Sequence, residues 1–304
     1  MDISFIIVNY NARELLSPCI KSIYETVPDI SYEIILVDNG SSDGSLEMVR
    51  EKFPDVIPIR NNGNRGFAAA NNQALEIMKG RYALLLNTDA FLTENAVSEL
   101  FFFMENHREA AIACGQLLNA DGTKQNSIAS FPDILSLALN MPILEYLFPR
   151  RYPSKRYDIK VPVEIDSGIG ACLMVRKQAI DEVGKLDERY FFFFEETDWA
   201  FQMKKTGWKI YYVPTAFIFH LQGQTIGDGF SSRREFYRSR YQYFRKWHGH
   251  FRSALMSTII FVRLVIDWIS ASIVNIVSLG ANQNARRKWS VYSRLVFWHL
   301  QGCP

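Results

Sequence analysis

The sequence lacks the cysteine spacing of a disulfide framework or of a thiolate zinc site. Its four cysteines are far apart and form no CxxC pair; they are Cys19, Cys114, Cys172 and Cys303. Small disulfide-stapled domains and zinc modules both depend on closely spaced cysteines. We therefore expect the chain to work in a reducing compartment.

The first residues, MDISFIIVNYN, lack the features of a secretory signal peptide. An acid stands where the basic segment would be, and the apolar run is short. This pattern predicts a cytoplasmic location.

Three common signatures of nucleotide-binding or hydrolytic sites are also missing. The chain has no GxGxxG, no GxxxxGK[ST] and no GxSxG, which argues against dinucleotide-binding, P-loop and α/β-hydrolase sites. The nearest stretch, residues 167–170 (SGIG), has the wrong order for a hydrolase elbow. We interpret Gly168 as part of a flexible loop that lets a substrate approach the backbone, with a plain tight turn as the alternative.

Acidic residues are scarce in the last quarter of the chain. Residues 233–304 contain 12 Lys and Arg against 2 Asp and Glu, whereas residues 1–232 contain 22 against 30. We therefore expect two domains, 1–232 and 233–304, of which the second meets an anionic partner such as phosphate, lipid headgroups or nucleic acid. A merely solvated basic surface is the alternative.

What the chain does contain is enough apolar sequence for a large core, with 48% hydrophobic residues in 304. Strand-like runs at 3–9, 33–38, 56–60 and 82–87 alternate with helical patterns at 12–26, 45–53 and 67–78. This order predicts an α/β fold with a parallel, doubly wound sheet, which binds ligands beyond the carboxyl ends of its strands. The proline-bearing segment 131–162 resembles an insertion or lid.

Short polar segments follow each of these four strands. They are 9–11 (NYN), 38–43 (DNGSSD), 61–66 (NNGNRG) and 87–89 (NTD). Each alone fits ordinary turn and capping chemistry. Because all four fall on the same predicted edge, we expect a binding site there.

Two carboxylates in these segments have distinct chemical uses. Asp38 could accept a hydrogen bond from the imide N–H of a uracil or thymine ring, or form an Asx-turn, and the two uses can coexist. Asp89 emerges at the sheet edge, where Mg²⁺ or Mn²⁺ could sit between one carboxylate and a diphosphate.

Six motifs together resemble glycosyltransferase family 2, which has the Rossmann-like GT-A fold, and in particular its bacterial rhamnosyltransferases. They are VNYN (8–11), VDNGSSDGS (37–45), NRGFAAANN (64–72), LLLNTD (84–89), FFFFEETDW (191–199) and His220. The resemblance implies a nucleotide-diphosphate sugar donor, bound by Asn9, Asn11, Asp38, Asn64, Gly66, Phe67, Asn87 and Asp89. It also implies Asp89 and His220 as metal ligands, with Asn87 where the family's DxD motif has its first Asp.

The acids that follow the aromatic run 190–194 carry the expected catalysis. Acids are favoured in the first turn of a helix, so simple capping explains their number but not the aromatic residues beside them. Apolar neighbours raise a carboxyl pKa and can bring a general base close to working pH. The resemblance implies Glu196 as the base, in place of the commoner Asp, with Glu195, Asp198 and Trp199 binding the acceptor. A single base and a diphosphate leaving group imply inversion at the anomeric carbon.

The C-terminal segment predicts an amphipathic, membrane-associating extension. Residues 254–279 are mostly apolar, but Arg263 and Asp267 near their middle disfavour a transmembrane span at about 2.5–3.5 kcal/mol each. A helical projection places the serines and these charges on one side, which is typical of a helix lying in the membrane interface. Residues 285–300 add cations and tryptophans suited to an anionic inner leaflet. Packing against the catalytic domain or a dimer partner is the alternative.

From the sequence we expect an inverting glycosyltransferase at the cytoplasmic membrane face that uses Mg²⁺ or Mn²⁺ and no nucleic acid. The donor favoured by the resemblance is dTDP-rhamnose, and the acceptor is a polyprenyl-diphosphate-linked glycan. Two alternatives remain: a UDP-sugar transferase acting on another acceptor, and a non-catalytic nucleotide-sugar-binding or membrane-scaffold protein. A homodimer is possible.

Overall fold

The computed structural model describes residues 1–27, 29–152, 158–221, 229–279 and 281–303. The chain forms two compact units. The first comprises residues 1–131 and 148–225, and the second comprises 132–147 and 226–304. The functional boundary predicted at residue 232 stays a prediction, but the compact units show that the central segment 132–147 groups with the C-terminal part of the chain.

The elements follow in regular order. The strands are β1 (Ile3–Asn9), β2 (Tyr32–Asp38), β3 (Ile57–Arg60), β4 (Tyr82–Asn87), β5 (Ala90–Leu92), β6 (Ala110–Leu118), β7 (Ile128–Ala129), β8 (Val163–Ile165), β9 (Ser167–Gly168), β10 (Cys172–Arg176) and β11 (Lys209–His220). The helices are α1 (Arg13–Thr26), α2 (Ser45–Lys52), α3 (Phe67–Ile77), α4 (Ala96–Asn106), α5 (Ile134–Ala138), α6 (Met141–Leu147), α7 (Lys177–Val183), α8 (Glu195–Lys205), α9 (Gly229–Val277) and α10 (Gln283–Leu300).

A mixed sheet forms the centre of the first unit, in the order β3-β2-β1-β4-β10-β6-β11-β5, with β8 beside β11. The first four strands are parallel, as the sequence predicts. The sheet is not parallel throughout, because β10 runs antiparallel to both β4 and β6. The chain enters β10 from the carboxyl edge of β4, where the Asn87 N–H donates to the Ala171 carbonyl at 3.0 Å, so β10 must run the opposite way.

The core lies on both faces of this sheet. On one face Phe5 and Ile7 of β1 pack in a cluster with Leu16 and Ile20 of α1. On the other face Ile6 joins a cluster with the alanines of α3. Side chains of a strand point alternately to its two faces, so β1 is buried on both. The helices thus fix where the carboxyl ends of β1, β2 and β4 present their polar residues.

The second unit is built around α9, which is interrupted at Gly249, where φ is +69°. The arms on either side, residues 229–248 and 250–277, both pack against α10: His299 lies against Tyr241 of the first arm and Phe261 of the second. By length and composition alone, α9 is apolar enough for one stretch to cross a membrane.

Candidate active site

The carboxyl ends of β1, β2 and β4 bring the predicted polar segments side by side. Asn9 pairs with Asp38 in register, Val8 pairs with Asn87, and Asp38 pairs with Arg60 at the end of β3. The expectation of one polar edge is therefore met by the strand register, because parallel strands end at the same side of a sheet.

Asp38 is held by its neighbours in this edge. Its Oδ1 accepts from Asn9 Nδ2 at 3.2 Å and its Oδ2 accepts from the Ser41 N–H at 3.2 Å, and the residue is only 1% exposed. Asn11, at φ +49°, accepts from the Ser42 N–H through Oδ1 at 2.8 Å. The turn role considered for Asp38 is thus present, and contact with a base stays a prediction.

Asn39 is an organising residue that sequence reasoning missed. Its Oδ1 accepts from Asn61 Nδ2 and from the Arg65 N–H, both at 3.0 Å, and its Nδ2 donates to Asn64 Oδ1 at 2.9 Å. Asn64 Oδ1 also accepts from the Gly66 N–H at 2.9 Å. One buried amide therefore shapes the whole 61–66 loop. Its position between two strand ends was the only available signal, and turn chemistry explained it equally well.

Gly66 joins this loop to the aromatic run. It has φ +85°, and a Cβ at this position would lie 2.6 Å from the Phe191 carbonyl oxygen. The next residue, Phe67, donates its N–H to that same oxygen at 2.8 Å. Only glycine permits this approach, because any side chain would collide with backbone. The predicted donor segment and the predicted acid segment are thus neighbours in space.

The aromatic run ends in a sharp turn that starts α8. Phe193 and Phe194 both have φ +70°, a region that costs about 1–2 kcal/mol per residue for side chains with a Cβ. Left-handed backbone of this kind is common at functional sites. The turn places Glu195 and Glu196 at the first two positions of α8.

The two glutamates at this turn have unusual electrostatics. Burial raises the pKa of the Glu195 carboxyl well above its usual range, and the neighbouring Glu196 charge raises it further. Burial also raises the pKa of Glu196, while hydrogen bonds from its own backbone and from Thr197 oppose the shift. Glu195 is 4% exposed, and its Oε2 has no hydrogen-bond partner in the described part of the chain. Burial therefore favours the neutral form of both carboxyls, and the charge of Glu196 adds to this effect at Glu195.

The residue facing Glu196 is a glycine. A Cβ on Gly170 would lie 3.6 Å from Glu196 Cγ, so bare backbone lines this side of the carboxylate. The sequence singled out Gly168 instead, as part of a flexible loop, whereas the structure places Gly168 in the short strand β9. Gly168 is buried in β9, where a Cβ would lie 2.6 Å from Cys114 Sγ, so its smallness serves packing.

The structure places Trp199, expected from the sequence to bind the acceptor, in the core. Its side chain is 0% exposed in the core, and its Nε1 donates to the Gly184 carbonyl at 2.8 Å. Asp198 is fully buried as well, with its oxygens accepting from Tyr190 Oη and Gln202 Nε2. Both lie on the helix face that points into the protein. The spacing of Trp199 and Met203, four residues apart, could have shown which face is buried.

Asp89 and His220 lie together at the sheet edge, with 3.5 Å between Asp89 Oδ1 and His220 Nε2. The other ring nitrogen, Nδ1, lies 3.0 Å from Gln125 Oε1. Gln125 Nε2 donates to the His220 carbonyl at 2.5 Å, so Oε1 is the free acceptor and Nδ1 must carry the proton. An oriented imidazole of this kind is typical of a metal ligand. Gln125 had no signal in the sequence.

Asp89 and His220 fit a divalent ion that takes its remaining ligands from phosphate and water. No group of three His, Cys, Asp or Glu side chains suited to a metal occurs within the described ranges. Mg²⁺ and Mn²⁺ sites commonly use one or two protein ligands, with the rest from phosphate and water. Asp89 and His220 satisfy that requirement, and Asn87 at the end of β4 adds an amide nearby in the chain.

The parallel half-sheet, its polar edge and the buried acids define an α/β enzyme of the GT-A fold. The sequence profile of glycosyl transferase family 2 matches residues 4–184. The chain belongs to this family, and it is a glycosyltransferase.

Individual relatives are more distant. One is N-acetylglucosaminyl-diphospho-decaprenol L-rhamnosyltransferase of Mycobacterium tuberculosis, 26% identical over 74% of this chain and 79% of the relative. A second is the Escherichia coli UDP-Glc:alpha-D-GlcNAc-diphosphoundecaprenol beta-1,3-glucosyltransferase WfaP, 33% identical over 35% of this chain and 42% of the relative. A mannosyltransferase from Pyrobaculum calidifontis, solved with GDP-Man and Mn²⁺, shares the fold with a TM-score of 0.60 at 15% identity, covering 98% of this chain and 86% of that one.

The Gly66 contact predicts a specific sensitivity. Gly66→Ala should lower the free energy of unfolding by about 1–3 kcal/mol, because the new methyl group collides with the Phe191 carbonyl. Turnover should fall as well, because the two loops lose their alignment. The control is Gly63→Ala in the same loop, where a Cβ meets nothing within 4 Å. Thermal unfolding and initial rates check the pair, and equal behaviour of the two variants would contradict the contact.

The raised pKa of Glu195 predicts how stability depends on pH. The folded state favours its protonated form, so that contribution is complete below the ordinary glutamate pKa and is lost as pH rises through the raised one. Glu195→Gln cannot ionise. It should therefore gain stability over the wild type as pH rises through that window, by about 1.4 kcal/mol for each tenfold difference in proton affinity between the folded and unfolded states.

Unfolding midpoints measured against pH check this prediction. Glu76→Gln is the control of opposite sign, because Lys185 lowers the pKa of Glu76. Parallel curves for the wild type and Glu195→Gln would show that Glu195 is not a buried acid.

Proposed function

We propose that this glycosyltransferase moves a sugar, with inversion, from a nucleotide diphosphate to a polyprenyl-diphosphate-linked glycan. The observation that carries the proposal is the position of Glu196, in the first turn of α8 opposite Gly170, directly after a strained turn whose preceding residue Phe191 contacts the loop around Gly66. Such a carboxylate is held beside the segment proposed to bind the donor.

The relatives support the chemical class of the acceptor. Both the mycobacterial and the Escherichia coli relative are named for acceptors in which a sugar is joined to a polyprenol through a diphosphate. The mycobacterial relative aligns over most of both chains and is named a rhamnosyltransferase. On that ground we propose dTDP-rhamnose as the donor. The UDP-Glc named for the second relative makes a UDP-sugar the competing donor.

In the proposed reaction Glu196 is the general base. Its carboxylate takes the proton of an acceptor hydroxyl as that oxygen bonds to the anomeric carbon. The bond from this carbon to the donor diphosphate breaks at the same time, and the diphosphate leaves with the electron pair. Attack from the face opposite the leaving group inverts the anomeric configuration. General base catalysis of this type contributes about 10²–10⁴-fold in rate.

Glu195 remains a proposed acceptor-binding residue beside the base. Burial raises the pKa of its carboxyl and so favours the neutral form, which has a proton to donate in a hydrogen bond to an acceptor oxygen. Asn9, Asn11, Asn64 and Phe67 remain the proposed donor-binding residues beside Asp38 and Gly66. Asp198 and Trp199 shape α8 from within.

Asp89 and His220 are the proposed ligands of Mg²⁺ or Mn²⁺. When bound, such an ion would neutralise charge on the departing diphosphate. The protein's own contribution is the Gln125 amide, which orients the His220 ring toward Asp89. The reaction is proposed to take place at the cytoplasmic face of the membrane, where a lipid-linked acceptor is anchored.

Removal of the base tests the proposed reaction. Glu196→Gln should lower kcat by about 10²–10⁴-fold and leave donor affinity near that of the wild type, because the carboxamide keeps the shape but cannot take a proton. Glu196→Asp should retain part of the activity, and the exposed Glu94→Gln serves as the neutral control. Single-turnover rates and donor titrations measure both quantities. Full turnover by Glu196→Gln would sink the role and favour the non-catalytic alternative.

Donor and metal are tested together by thermal stabilisation. Ligands that bind the native state raise the unfolding midpoint by mass action. We expect dTDP-rhamnose to raise it more than UDP-glucose does, and more with Mn²⁺ or Mg²⁺ than with a chelator. Asp89→Asn should lose the metal-dependent part alone. A larger response to UDP-glucose would reassign the donor, and a response indifferent to metal in both proteins would contradict the metal site.

A further inference from the structure

The helices α5 and α6 expose apolar side chains, although they lie within a compact unit. Tyr146 is 83% exposed, Leu147 54% and Ile143 46%, and α5 exposes Ile134 and Leu135 as well. Monomeric soluble proteins seldom concentrate apolar residues on their surfaces in this way. The segment 132–147 therefore presents an apolar surface, which is typical of a binding surface.

The second arm of α9, in the same unit, has a face of the same kind. Its exposed residues are aliphatic and recur at helical spacing: Val262, Ile266, Ile269, Ile273 and Ile276. Met256, Ile260 and Leu264 point inward and are buried. The arm thus packs with one stripe and leaves a second apolar stripe uncovered.

Arg263 connects α9 to the α5–α6 segment through hydrogen bonds. Its Nη1 donates to the Leu137 carbonyl at 3.0 Å and to the Leu139 carbonyl at 3.3 Å, and its Nη2 donates to Asn140 Oδ1. The last carbonyls of a helix have no partner within it, so the guanidinium completes the end of α5. The charge that argued against a transmembrane span is therefore used inside the unit, and it attaches the α5–α6 segment to α9.

The charge of the second unit identifies the partner. Residues 226–304 contain 12 Lys and Arg against 3 Asp and Glu, so the basic charge belongs to the C-terminal part of the unit, whereas residues 132–147 contain no Lys or Arg and 2 Asp and Glu. Arg286, Arg287 and Lys288 are consecutive and exposed in the first turns of α10. Aliphatic stripes accompanied by exposed cations match a bilayer with anionic headgroups, which attracts each basic residue by about 1 kcal/mol.

We propose that the α5–α6 segment is a second membrane-contacting element, which Arg263 fastens to α9, so that both enter the headgroup region of an anionic bilayer. This inference rests on the proposed membrane association and extends it to residues 132–147. In this proposal the Arg263 guanidinium positions the apolar α5–α6 segment for contact with lipid. Part of the segment 131–162, which the sequence indicated as an insertion or lid, is thus proposed to contact lipid.

The test compares vesicle binding of two matched double variants of the full chain. Ile143→Glu/Tyr146→Glu places acids on exposed positions of α6. Ile77→Glu/Phe102→Glu places them on exposed positions of the first unit, where Ile77 has the same 46% exposure as Ile143 and Phe102 is 60% exposed. Binding is measured by co-sedimentation with phosphatidylcholine vesicles, with and without phosphatidylglycerol.

The expected result is that the wild type and the first-unit variant partition onto anionic vesicles alike, while the α6 variant partitions more weakly by on the order of tenfold or more. Arg263→Ala should weaken partitioning and expose residues 132–147 to limited proteolysis, and Arg263→Lys, which keeps the charge but cannot reach all three acceptors, should behave similarly. Transfer to a water-soluble acceptor analogue should be unchanged in the α6 variant.

Each of the other outcomes would overturn a stated part of the membrane-contact proposal. Equal vesicle binding by the wild type and the α6 variant overturns the role of residues 132–147 and leaves membrane association through α9 and α10 intact. Absence of wild-type binding to any vesicle overturns both. An α6 variant that binds weakly only because it is unfolded would also lose transfer to the soluble analogue, and that result counts against the proposal.

Discussion

The site depends on one close backbone contact, in which the Phe191 carbonyl approaches Gly66 and accepts the Phe67 N–H at 2.8 Å. The two partners are separated by more than a hundred residues, yet this contact fixes the loop after β3 against the turn before α8. The loop carries some of the residues proposed for the donor, and the turn leads into both glutamates. Because a Cβ has no room there, the contact also explains why glycine opens α3.

The turn and the acids form one energetic unit. Two left-handed phenylalanines and two carboxyls whose pKa is raised by burial follow one another and cost free energy, and among their chain neighbours Thr197 donates a hydrogen bond to Glu196. The compensation comes from the core beneath α8, where Trp199 and Met203 are buried. Trp199, expected from the sequence to bind the acceptor, packs in the core beneath the helix that carries the proposed base. Hydrophobic packing in the core therefore offsets the strain of the turn before α8.

The sequence predicted what depends on short-range pattern. Strand and helix periods located β1 to β4, and parallel register then required Asn9, Asp38 and Asn87 to meet at one edge. It failed where the deciding partner is remote. The sequence alone does not distinguish Gly168 from Gly170. In the fold, Gly168 packs against Cys114 of β6, whereas Gly170 faces Glu196 of α8. The direction of β10 and the amide network of Asn39 also depend on distant loops.

Arg263 shows the same limit with the greatest consequence. In the sequence it is a charge inside an apolar stretch, and its cost in lipid decides how residues 254–279 are interpreted. In the folded chain its acceptors are carbonyls and an amide more than 120 residues earlier. A guanidinium satisfied in this way faces protein acceptors, so the full penalty of an isolated charge does not apply. The helix that carries it can therefore combine a structural cation with an uncovered aliphatic face, and neither feature argues against the other.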